Sequence, residues 1–152
     1  MIHKELAAFL EEGIGINIGT RSASRQPNGA RVVAVKVDDD GRHVTAFMPA
    51  AAAPLVVGDL EASGQAALVF ARPPDERACQ VKGVYAGSRD ARADEHAFVV
   101  DQWGRWMRRL ETIGLPRMAY ESWQIWPCVA VRVRVTALFD QTPGPGAGQP
   151  LP

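Results

Sequence analysis

The sequence predicts a mainly β fold of α+β type: a six-stranded antiparallel barrel with flanking helices. Three observations predict it. Six short runs of strand character follow one another between turn signals, one pair of them carries a strong hairpin signal, and helical spacing is confined to the start, the middle and one late insertion. The βαβ alternation of a parallel sheet is therefore missing. A chain of 152 residues can bury one core, and two independent cores need more. Its 47% hydrophobic and 22% charged residues are ordinary globular values, which set aside disordered and collagen-like chains.

Ile2, Leu6, Phe9 and Leu10 recur at helical spacing opposite Lys4, Glu5, Glu11 and Glu12, and Gly13 ends this amphipathic helix, which is suited to capping one end of a core. GINIGTR, residues 15–21, alternates as a strand, and a Ser, Pro, Asn and Gly loop over 22–29 follows. ARVVAVKV and RHVTAFM flank DDDG, whose aspartates and glycine supply the dihedrals of a hairpin turn. Pro54 suits the first turn of a short helix over LVVGDLEASG, and QAALVFA is an apolar run of strand length. RPPDE is a corner, and ACQVKGVYAGS alternates again as far as Ser88. From Asp94 to Ile113, Phe98, Val99, Trp103, Trp106, Met107 and Leu110 form a helical stripe with arginines interleaved, stopped by Gly114 and Pro116. PCVAVRVRVTALF sets Val129, Val131, Val133 and Val135 against Arg132 and Arg134, and residues 141–152 form a Pro/Gly-rich tail after a single domain over 1–140.

Charge and motif content exclude several chemistries. Seventeen Lys and Arg balance seventeen Asp and Glu, so no global basic field draws nucleic acid or anionic lipid. Cys79 and Cys128 form no CxxC pair, and His3, His43 and His96 lie in separate elements without ligand spacing, so no metal centre is written here. Gly13, Gly15 and Gly19 miss the GxGxxG spacing, and no GxSxG elbow occurs. The N-terminus has no secretory pattern and no run reaches the length of a membrane span, so a cytoplasmic protein is expected. What survives is a pair of cations, Arg31 and Lys36, in RVVAVKV. Their odd separation places them on opposite faces of a regular strand, so one ligand meets both only across a bulge, a strand end or a dimer edge.

The ordered set IGTR, the loop with Pro27 and Gly29, RVVAVKVDDDGRHVTAFM, LVVGDLEASG, QAALVFARPPDERACQVKG and a late Trp-Pro strand leading to FDQTPGPGAG resembles the pyridoxamine 5'-phosphate oxidase-like family of FMN-binding split barrels. The resemblance spans most of the chain and implies a homodimer with FMN in two grooves between the subunits. It implies that Arg31 contacts the FMN phosphate, that Lys36 lies near the flavin ring or the substrate, that Val33 and Ala34 meet the ring through their main chain, and that Phe47 and Met48 belong to the flavin-contacting stretch of the facing strand. A flavin phosphate carries close to two negative charges, and an arginine bond to it is of the strong, charge-assisted kind.

The chain also departs from the vitamin-processing oxidases. Their Ser-Arg-Lys phosphate clamp is replaced by Ala50, Ala51, Ala52 and Ala53, and Ala78 stands where they have a flavin-contacting glutamine before the glycine matched by Gly83. Their closing substrate segment is absent, so oxidation of pyridoxamine phosphate is not implied. The reading is thus an FMN-dependent oxidoreductase acting on an unknown small molecule, and its alternative is a non-catalytic split barrel that binds or senses a flavin or a haem. Trp103, Trp106, Trp123 and Trp126 are expected as core or dimer-interface anchors or as the lining of such a pocket.

Overall fold

The computed structural model describes all residues from 1 to 152. Twelve elements follow one another: α1 (Lys4–Glu11), β1 (Gly15–Arg21), β2 (Pro27–Val32), β3 (Ala34–Val37), β4 (His43–Pro49), α2 (Ala53–Ser63), β5 (Gln65–Arg72), β6 (Arg77–Asp90), a 3-10 turn (Ala93–Glu95), α3 (His96–Thr112), α4 (Met118–Glu121) and β7 (Cys128–Asp140). The strands form one antiparallel sheet in the order β2-β1-β5-β6-β7-β4-β3.

The seventh strand comes from a bend. ARVVAVKV, expected as one strand, breaks at Val33, so that β2 pairs with β1 while β3 pairs with β4 at the opposite end of the sheet. Because β2 and β3 are consecutive in the chain, this bend joins the two ends of the sheet and closes it. Counted along the chain, the six expected strand segments are all present, with β2 beginning earlier than expected, at Pro27.

Alternation fills the barrel. Ile16, Ile18, Val35, Val44, Leu68, Phe70, Val81, Val131 and Val133 point inward and are fully buried. Helix α1 adds Leu6, Phe9 and Leu10 to this interior, and α2 adds Val56 and Leu60. The stop of α2 is supplied by Gly64, whose φ of 69° is the left-handed conformation that glycine adopts without a Cβ penalty. Asp59 on α2 is buried and accepts hydrogen bonds from Thr20 Oγ1 and Asn28 Nδ2, both at 2.8 Å, which ties the helix to β1 and β2.

A second, smaller core lies outside the barrel. Helix α3 lays Val99, Trp103, Trp106, Met107 and Leu110 over Val33, Ala34, Phe47 and Ala130 on the outer face. The free edge of β3 is closed by side chains: Gln102 accepts from Val35 N (3.0 Å) and donates to Val35 O (2.7 Å), while Glu11 accepts from Val37 N (2.6 Å). A buried amide thus takes the place of a neighbouring strand. The tail also folds back, with Leu151 N donating to Leu138 O and Asp140 N to Gln149 O.

Candidate functional site

The bend decides how the two cations stand. Val32 and Val35 belong to the barrel interior, whereas the consecutive residues Val33 and Ala34 both face outward under α3. Two outward residues in succession reset the phase of the pleat, so Arg31 and Lys36 come to share the outer face in spite of their odd separation. They open into two different clefts that have no lining residue in common.

Arg31 lines a cleft of about 500 Å³ with Gly15, Asn17, Ala78, Trp106 and Gln141. Its guanidinium carbon sits 4.7 Å from the centroid of the Trp106 ring, within cation–π range. Nη1 donates to Ile16 O at 3.4 Å. None of the chain's ion pairs includes Arg31. Burial lowers its pKa, and the nearby Tyr120 opposes that shift. A half-buried guanidinium held against an indole, with no carboxylate of its own, is a ready partner for an anion. Aromatic packing fixes the indole in turn: Trp106 lies 4.7 Å from Trp103 and 5.1 Å from Tyr120, centroid to centroid.

Lys36 lines a cleft of about 530 Å³ together with Thr45, Phe47, Ser88, Arg89 and Arg132. Between the two clefts the side chains of Val33, Ala34 and Phe47 are brought together and covered by α3, with Phe98 edge-on to Phe47 at 5.9 Å. Met48 points the other way, into the barrel interior. The main chain of Val33 donates to Phe47 O at 2.8 Å.

Three of the four amides of the alanine segment at the start of α2 are engaged within the fold. Ala50 N donates to Pro127 O, Ala52 N to Pro49 O and Ala53 N to Ala50 O, so these amides are already engaged. Ala78 lies in the Arg31 cleft, and Gln141 beside it donates its backbone N–H to Ala78 O at 2.9 Å. Gln141 and Asn17 are cleft residues that the sequence reading did not single out. The outward register of Asn17 in GINIGTR was a signal for it, whereas Gln141 sits where an irregular tail was expected. Both cysteines are buried, which pushes the Cys79 thiol up to about 11 and that of Cys128 up to about 12 and leaves neither a ready nucleophile.

No family model and no curated protein matches the sequence. Solved structures do match in shape. HupZ of Group A Streptococcus superposes with a TM-score of 0.59 at 18% identity over 97% of this chain and 100% of its own. A Lactobacillus delbrueckii protein named for pyridoxamine 5'-phosphate oxidase gives 0.54 at 13% identity, over 91% and 93% of the two chains. An FMN-binding protein from Syntrophomonas wolfei gives 0.52 at 13% identity, over 90% and 86%. Likeness of this extent at such low identity is likeness of architecture: the chain has the split-barrel fold of the pyridoxamine 5'-phosphate oxidase-like proteins.

Proposed function

We propose that this chain is an FMN-binding flavoprotein of the pyridoxamine 5'-phosphate oxidase-like family, an oxidoreductase that acts on a small molecule as a homodimer. One observation carries the reading: Arg31, the residue the resemblance matches to the FMN phosphate, is a half-buried arginine without an ion pair, opening into a cleft in a split-barrel fold. The residues present fit the group. A phosphate of nearly two negative charges needs a cation free to meet it, and Arg31 is one. With the amides of Ala50, Ala52 and Ala53 engaged, Arg31 carries the phosphate without the clamp of the vitamin-processing oxidases. Gln141 supplies a side-chain amide next to Ala78, the position where those oxidases place their glutamine.

Bound FMN would supply the hydride or single-electron chemistry, and the residues of the chain bind and orient it. Val33 and Ala34 belong to the site through their main chain, because α3 covers their side chains. Phe47 and Met48 support the facing strand from its two sides, and Lys36 stands toward the substrate. The dimer reading is supported by the outer face of β1 and β5, where Gly15, Asn17, Gly19, Ala67 and Ala71 surround the exposed Val69, a flat surface of small side chains suited to a second copy. No helix is long and apolar enough to cross a membrane, and a cytoplasmic setting is part of the proposal.

Titrating the purified protein with FMN, read by quenching of tryptophan and flavin fluorescence, tests the reading. A saturable quench with a yellow complex is expected, because Trp106 lies in the cleft. A colourless protein with no quench, or a Soret band on titration with haem in its place, overturns it.

A further inference from the structure

The outer face formed by β1, β5, β6 and β7 carries a third cleft, of about 490 Å³, whose lining includes Gly19, Arg21, Gln65, Ala67, Lys82 and Thr136. It shares no lining residue with the Arg31 cleft or the Lys36 cleft. We propose that this third cleft binds the oxyanion group, a carboxylate or phosphate, of a small molecule between Lys82 and Arg21. Such binding is independent of the flavin reading.

Pairing builds the floor. Gly19 lies opposite Ala67 and Ala67 opposite Lys82, one row across β1, β5 and β6 on the outer face. Arg21 stands two residues beyond Gly19 on the same side of β1. The far wall comes from an irregular step in the β6–β7 ladder: Lys82 pairs with Ala137 and Gly83 with Val135, so Thr136 is an extra residue of β7. Its hydroxyl donates to Lys82 O at 3.2 Å and ties the bulge to the strand that carries the cation. Gly19 is a second, independent sign. A Cβ there would meet nothing nearer than Ala67 O, at 3.8 Å, so the fold leaves room for a side chain, and glycine inside a strand weakens it. Bare backbone at this position suits the close approach of a ligand.

The charge of the cleft is of one sign. No acidic residue lines it, and neither Arg21 nor Lys82 is in an ion pair. Asp59, bonded to Thr20 of the lining, is buried on α2 and committed to Thr20 and Asn28. Acidic and basic side chains are equal in number over the whole chain, so the one-signed lining is a local arrangement and no by-product of net charge. Lys82 Nζ sits 4.9 Å from the centroid of the Phe139 ring, a contact that steers the ammonium without neutralising it. Arg21 Nη2 has only a long contact, 3.5 Å, to the neutral Gln65 Oε1, which leaves the NH2 group of Gln65 over. An ammonium, a guanidinium and an amide NH2 around an open floor, with no carboxylate to compete, form the donor set that a carboxylate or phosphate group requires.

The test is amide-resolved NMR titration of the full chain at low salt, with benzoate in one arm and inorganic phosphate in the other. Saturable shifts at Gly19, Lys82 and Thr136 are expected in at least one arm, and the arm that binds names the oxyanion. Lys82→Met should weaken that binding roughly three- to tenfold, a charge-assisted contact screened by solvent, whereas Lys4→Met, at an exposed position of α1 outside the cleft, leaves it unchanged. Gly19→Val should abolish binding by filling the floor, with the fold intact by circular dichroism, since a β-branched residue suits a strand. Absence of saturable shifts in both arms, or parental affinity in Lys82→Met or Gly19→Val, overturns the proposal. Gly19 and Ala67 also belong to the face suited to a second copy. Shifts at these amides that follow protein concentration and ignore both anions would assign the cleft to the dimer and overturn the proposal as well.

Discussion

The guanidinium of Arg31 lies 4.7 Å from the centre of the Trp106 ring, and no carboxylate pairs with it. Strand β2 supplies the cation and helix α3 the aromatic face, so the site exists only once the late helix has packed on the barrel. Arg31→Ala removes one charge-assisted contact, worth about 1.5 to 3 kcal/mol. FMN affinity should fall roughly ten- to a hundredfold, measured by fluorescence titration, with the fold intact by circular dichroism. Unchanged affinity would show that the phosphate sits elsewhere.

Gln141 offers a second handle on the same cleft. Gln141→Ala leaves the backbone bond to Ala78 O in place and removes only the side-chain amide. A loss of about 0.5 to 1.5 kcal/mol in FMN binding is expected, the net worth of one neutral hydrogen bond, without change in melting temperature. If binding is untouched, Gln141 does not stand in for the missing glutamine.

Gln102 is fully buried on α3, and its amide satisfies both the N–H and the C=O of Val35. Gln102→Leu keeps the volume and orphans both groups, at about 1 to 3 kcal/mol for each. Chemical denaturation should show a destabilisation of at least about 2 kcal/mol at constant m-value. A neutral result would mean that water replaces the amide at this edge.

Gly83 explains itself sterically. A Cβ there would meet the Val133 side chain and the carbonyl oxygen of Arg134, at a register shift between β6 and β7. Since backbone cannot yield as a flexible side chain does, Gly83→Ala should destabilise the barrel by about 1 to 3 kcal/mol, seen as a lower denaturation midpoint. Wild-type stability in that variant would show that the ladder re-registers freely.

Glu95 sets a pH dependence. Hydrogen bonds from Arg89, outweighing a smaller opposing effect of burial, hold its carboxyl at about 2 against an ordinary 4.5. The folded value is the lower one, so the unfolded chain takes up the proton first on acidification. The stabilisation from this group is full above about 4.5 and lost as pH falls toward about 2. Glu95→Gln should therefore differ most from the parent at neutral pH, and the difference should shrink through that window. A pH-independent difference in denaturation midpoint would assign the effect to something other than the Arg89 pair.

Much of this was legible in the residues, for physical reasons. Strict alternation in GINIGTR and VRVRV fixes which side chains enter the barrel, and Pro54 and Gly64 delimit α2. The bend at Val33 was not legible, because VVAV is apolar throughout and gives no sign of where the inward phase is reset. Pairing decides that, as β2 is drawn to β1 and β3 to β4. Gln102 left a readable trace, a polar residue on the stripe of Val99, Trp103 and Trp106. The separation of Arg31 from Lys36 into two clefts needed the fold, because it depends on α3 covering the residues between them.

A crystal structure of the chain grown with FMN tests the central claim most directly. Density for the phosphate is expected against the Arg31 guanidinium, in the cleft shared with Trp106. Phosphate density anywhere else, or none at saturating FMN, would contradict it.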